Sequence, residues 1–156
     1  MAMRRCGLAV VGVMAAAVLV VGTGGTAWAG DADLEVHGSA VMNEGVVTVL
    51  VTPRDLGPDL VQDATVRLSW SAALADTQRL PAACARSGER EVVCGTGPLS
   101  VGVPGEQLEV PVRLRDRPSE VTLEVDVVWS GGAVDHDRTN DRQRALVLAT
   151  GDPYAF

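Results

Sequence analysis

The densest set of side chains able to do chemistry is Asp135-His136-Asp137-Arg138-Thr139-Asn140-Asp141. Oxygen donors crowded in this way are what calcium takes. Asp135, Asp137, Asn140 and Asp141 would be the ligands. The spacing resembles the start of a calcium-binding loop, but the turn glycine is missing and Leu146 stands where a bidentate Glu is needed. Arg138 and Arg142 would neutralise part of the charge. The simpler reading is a turn in which Asp and Asn side chains accept from backbone N–H groups ahead of a last strand. Calcium is the one cofactor candidate; otherwise none is expected.

Other catalytic constellations are weaker. After Ala29 the chain has two histidines, His37 and His136, too few for the His-rich ligand sets of catalytic zinc. No nucleophile-elbow motif surrounds Ser39 or Ser87. An enzyme is therefore not expected. Glu109, Glu124 and Asp126 fall on polar strand faces and read as solvated.

Cys84 and Cys94 form the clearest pair. Short strands over 83–86 and 91–94, folded about Ser87-Gly88-Glu89-Arg90, place Cys84 opposite Cys94. Facing residues of an antiparallel pair lie at a separation that a disulfide spans. Arg86 and Arg90 would sit at the tip of that hairpin, where a trypsin-like protease would accept them. This is one candidate surface for binding a partner. The other is the tail Gly151 to Phe156, which holds the chain's only Tyr and only Phe, Tyr154 and Phe156. Its rings either fold back over an open sheet edge or dock into another molecule.

The start of the chain reads as an export signal. Arg4 and Arg5 precede an uncharged apolar stretch from Cys6 to about Val21, followed by a glycine cluster and Ala27-Trp28-Ala29. This is the pattern of a signal peptide over residues 1–29, cut between Ala29 and Gly30. No stable membrane span is expected after cleavage. Cys6 leaves with the signal, so Cys84 and Cys94 remain as one pair suited to an oxidising compartment. Of the 13 basic residues, all arginine, two precede Ala29, leaving 11 against 20 acids. A chain with that acidic excess repels phosphate backbones and anionic lipid, which argues against nucleic-acid partners. Arginine without any lysine, and no isoleucine, match a GC-rich, actinobacterium-like codon usage.

The rest of the chain alternates with a period of two. Leu108, Val110, Val112 and Leu114 share one face. Val121, Leu123, Val125, Val127 and Trp129 alternate with Thr122, Glu124, Asp126, Val128 and Ser130, and Val66, Leu68 and Trp70 alternate with Thr65, Arg67 and Ser69. These are half-buried antiparallel strands, with Trp70 and Trp129 in the core. Residues 45–52 read as a central strand. Leu34 and Val36 mark the first strand and residues 145–150 the last. Pro111 implies an edge position or a bulge. Residues 72–80 would form at most one turn of helix. The fold expected is an all-β, immunoglobulin-like β-sandwich of about seven antiparallel strands over residues 30–150, with residues 151–156 as a tail.

An ordered set of turns carries a resemblance. It comprises Asp55-Leu56-Gly57-Pro58-Asp59, the Cys84 to Cys94 hairpin, Leu99-Ser100-Val101-Gly102-Val103-Pro104-Gly105, and Asp135 to Asp141. Across residues 33–149 this resembles the bacterial surface repeat called domain of unknown function 11, close to the cell-adhesion-related (CARDB) modules. It departs from that family at Arg54 and Asp55, where an asparagine pair is usual, and it is a single copy. The resemblance implies an extracellular Ig-like module with a structural, adhesive or protein-binding role, at the cell surface or outside the cell. The rival expectations are a secreted protease inhibitor presenting the Cys84–Cys94 hairpin and a calcium-dependent adhesion module. The partner would be a protein or the cell wall.

Overall fold

A computed structural model describes residues 30–156. The expected signal segment, 1–29, lies outside the described residues. Eleven strands run through the rest: β1 (Asp31–Ala32), β2 (Leu34–Asn43), β3 (Val46–Asp55), β4 (Thr65–Trp70), β5 (Cys84–Arg86), β6 (Glu91–Gly95), β7 (Leu108–Arg113), β8 (Glu120–Trp129), β9 (Val134–Asp135), β10 (Arg142–Leu148) and β11 (Pro153–Ala155). There is no helix among the described residues, so none long and apolar enough to cross a membrane. The expected helical turn over 72–80 is an irregular connection.

Two antiparallel sheets pack face to face. One has the order β11-β2-β3-β7 and the other β10-β8-β4-β6-β5; β1 and β9 add a two-stranded parallel clip. Three hairpin-like pairs, β2/β3, β4/β6 and β8/β10, each stay within one sheet, and the chain crosses between the sheets after β3, β6, β7 and β10, as in an immunoglobulin-like sandwich. The expected strands correspond to the seven longer ones and to the short β5 of the cysteine hairpin, and the additional strands β1, β9 and β11 have two or three residues each.

The alternation explains the core. Val47, Val49 and Val51 of β3, Val110 and Val112 of β7, Val66 and Leu68 of β4 and Leu123 of β8 are all fully buried. Val and Leu on one face of a pleated strand interdigitate with the opposing sheet, and removing them from water drives the two sheets together. The β2–β3 hairpin closes through Glu44 and Gly45, both with positive φ, in a two-residue turn whose twist matches the strands.

Three of the four sheet edges are protected. On β7, Pro111 offers no N–H. At Arg113 the outward N–H donates to Gln78 Oε1 (2.9 Å), and the outward carbonyl accepts from Gln78 Nε2 (2.9 Å) and the Ala75 amide (2.8 Å). A side-chain amide thus stands in for a neighbouring strand. The edges at β5 and β11 have three residues each, and β11 begins at Pro153. Short strands and prolines are how sheets avoid adding further chains. The expectation that Pro111 marks an edge holds.

Candidate functional site

The strand ends β3, β6 and β8 and the starts of β2, β4, β7 and β10 meet at one end of the sandwich. Its surface is built from the connections 56–64, 96–107 and 130–141 together with residues 30–33. The connections are tied to one another: Val61 and Leu99 exchange backbone hydrogen bonds (3.1 and 2.8 Å), Gly102 donates to Asp55 (2.7 Å), and Val134 donates to Gly30 (2.7 Å). Seven large apolar side chains at this end face water: Leu56, Leu60, Val101, Val103, Val128, Trp129 and Val134.

Trp129 corrects the expectation of a core residue. It is 50% exposed, whereas Trp70 is 2% exposed. The cause is a β-bulge. Val66 pairs with Val127 but Thr65 pairs with Trp129, so Val128 is an extra residue between them. One inserted residue reverses the alternation and turns the following side chain to the other face. The hint in the sequence is Val128 itself, an apolar residue on the face that is otherwise polar.

Asp126 is the second correction. It lies on the outer face of its sheet yet is 6% exposed. Its Oδ2 accepts from Arg67 (2.6 Å) and Arg142 (3.2 Å), whose side chains lie over it on the flanking strands. Hydrogen bonding to Asp126 holds the Arg142 guanidinium above its ordinary pKa. Glu124 is exposed as expected and pairs with Arg144 (3.6 Å).

In the 135–141 loop each acidic group has a local task. Asp135 Oδ2 accepts from the Leu34 amide (3.2 Å) and its Oδ1 from the Asp137 amide (3.1 Å). Asp137 accepts from the amide and hydroxyl of Thr139, and those hydrogen bonds hold its carboxyl below its ordinary range. Asn140 Nδ2 donates to Asp33 (2.8 Å), and Arg138 Nε pairs with Asp141 (2.8 Å). The Asp135 and Asp137 bonds to amides two residues on cap the turn, and the other contacts tie the loop to residues 33 and 34 and Asp141 to Arg138. No group of three or more His, Cys, Asp or Glu side chains among the described residues is placed to hold a metal ion.

Asp141 supports a pH prediction. Burial raises its carboxyl pKa, and this outweighs the lowering by Arg138. A raised folded-state pKa means ionisation costs the fold: the penalty is absent below the unfolded pKa and complete above the folded one. Asp141→Asn is therefore expected to raise the melting temperature at pH 7. The gain should shrink as the pH falls through the carboxylate range; thermal unfolding of both proteins at pH 7 and pH 4 checks it.

Cys84 and Cys94 form the expected disulfide, with Cα atoms 4.0 Å apart and directly paired across β5 and β6. Gly95 donates to the Ala83 carbonyl (2.9 Å) one step away. The cysteines therefore occupy a position between hydrogen-bonded pairs, where facing side chains come closest. Beside them, Arg86 is not a free tip residue. Its Nε donates to Gly88 O and its Nη1 to Ala75 O, both at 2.8 Å, so it ties the hairpin to the 72–80 connection. Arg90 is exposed.

The tail is part of a sheet. Tyr154 pairs with Ala40, and Phe156 exchanges backbone hydrogen bonds with Gly38 (3.0 Å each way). Both rings pack against the core cluster. Gly38 is glycine for a visible reason: a Cβ there would collide with the Leu50 carbonyl oxygen and lie 2.7 Å from the Phe156 ring. Small residues on β2 leave the space that the two aromatic rings fill.

One groove holds Ser69, Ser71, Thr122, Glu124 and Arg144, and another Thr96, Glu106 and Glu109. A third groove, of about 510 Å³ beside β7, is lined by Val46, Thr77, Gln78, Arg79, Pro111, Val112 and Arg113, which include no acid or imidazole. Comparison of the chain with protein-family models, with curated proteins and with solved structures returns no match.

Proposed function

We propose that this is an exported, non-enzymatic Ig-like module that binds a protein or cell-wall partner through its apolar loop end. One observation carries the reading: the bulge at Val128 turns an indole out to half exposure, beside connections that expose Leu56, Leu60, Val101, Val103 and Val134. A folded monomer gains nothing by presenting a tryptophan to water, whereas tryptophan in a desolvated contact is among the strongest binding anchors. The export signal read from the sequence supports a partner outside the cell, as does the resemblance to bacterial surface modules, and the acidic balance argues against a nucleic-acid partner. The hairpin is less suited to contact a protease, because Arg86 is engaged with the protein's own carbonyls.

The test is capture from culture supernatant and cell-wall fractions with the immobilised protein. A specific partner retained by the native protein should be held about tenfold or more weakly by Trp129→Ser, the loss typical of a central aromatic contact, with an unchanged melting temperature. Equal retention by Trp129→Ser and by Trp129→Ser/Leu60→Ser would reject the loop end as the binding surface.

A further inference from the structure

The fourth sheet edge, β10, differs from the other three. It is seven residues long, contains no proline and has no strand hydrogen-bonded to its outer side. The direction of its backbone groups follows from the ladder. Asp141 O accepts from Val127 and Ala149 N donates to Ser119, so odd-numbered residues of this segment face β8. The N–H and C=O groups of Arg142, Arg144, Leu146 and Leu148 therefore point away from the sheet. None of these groups has a hydrogen-bond partner among the described residues. The side chains of Arg142, Arg144 and Leu146 are exposed, Leu146 at 52%. A long edge with free backbone groups is a template for another strand, and here its only guards are the charges of Arg142 and Arg144, which admit a partner that sets no cation directly opposite them.

We propose that β10 is the interface for a second copy of this chain, paired antiparallel about a two-fold axis at Ala145. The strand is self-complementary in that register. Residues 142 to 148 all find partners, with Arg144 opposite Leu146 of the second copy and Arg142 opposite Leu148. All outward amides and carbonyls of both strands are then satisfied. The two Leu146 side chains become diagonal neighbours across the axis, each beneath the aliphatic stem of the other copy's Arg144. Like charge or lost pairing disfavours the competing registers. Parallel pairing sets Arg142 on Arg142 and Arg144 on Arg144. An antiparallel slip of two residues in one direction sets Arg144 on Arg144, and in the other leaves Arg142 unpaired. The contact is isologous and closes on itself, so it yields a dimer with a continuous ten-stranded sheet and not a filament.

Sedimentation of the purified protein tests the proposal. A dimer is expected to form on raising the concentration to about a hundred micromolar, since one strand pair is an interface at the small end of the range. Leu146→Pro removes an outward N–H and leaves the β8 ladder intact, because odd residues carry that ladder. It should give a monomer with a native circular dichroism spectrum. Leu146→Lys is the second variant should the proline disturb folding, and it too should be monomeric. A native protein that stays monomeric at that concentration, or dimers that survive Leu146→Lys, would overturn the assignment. So would a monomer whose β10 edge accepts a strand from a different protein.

Discussion

Truncation after Thr150 is expected to destabilise the protein by about 2–4 kcal/mol, the range for removing two partly buried aromatic rings from a packed site. The melting temperature should fall by on the order of 10 °C. The loss has two sources. Tyr154 and Phe156 pack against the core, and β11 covers the outer edge of β2. Removing the tail exposes Ala40 and the inner side of β2 and leaves the edge of a ten-residue strand open. Gly38→Ala should be costly by a separate route, since its Cβ has no room beside the Leu50 carbonyl oxygen. Differential scanning calorimetry of the two variants checks both effects. An unchanged melting temperature after truncation would mean that the rings serve docking and not the fold.

Replacing both cysteines with alanine is expected to cost about 3 kcal/mol, from the loop-closure entropy that the crosslink removes from the unfolded chain. The bridge joins residues ten apart in sequence. Cys94 is 1% exposed and belongs to the core, so its alanine variant also loses packing. The consequence should be local as well as global. β5 is held by three residue pairs at the end of its sheet, and without the bridge its amides should exchange with solvent faster than those of β4 or β8. Chemical denaturation with and without reductant measures the global part, and hydrogen exchange the local part. Equal stability with and without reductant would show that the crosslink adds nothing to the strand pairing.

Most of the sandwich is legible in the chain because half-buried antiparallel strands write their burial directly as alternation. Val66-Arg67-Leu68-Ser69-Trp70 and Leu108 to Leu114 each identify a face, and the Cys84/Cys94 spacing identifies a register. Pro111 identifies an edge. What alternation leaves out is which residues meet across sheets. A bulge reads as ordinary alternation until the partner strand is known, so the alternation points Trp129 inward although it lies outside. Asp126 has the pattern of a solvated acid, and only the positions of Arg67 and Arg142 on neighbouring strands cover it. The tail has too few residues to show any period, and its partner, β2, begins more than a hundred residues earlier. For the candidate site, the turn residues of the 135–141 loop were visible as a cluster, but their mutual hydrogen bonds depend on how that loop meets residues 33 and 34.

The contrast between the two described tryptophans also gives the protein its own optical readout. Trp70 is sealed between the sheets and Trp129 stands in water. Their emission should accordingly divide into a blue, quencher-resistant component and a red component that acrylamide reaches. A partner at the loop end would shift and shield only the red component. Loss of the fold would move the blue one. Occupancy and unfolding can thus be followed separately in one cuvette, without a label.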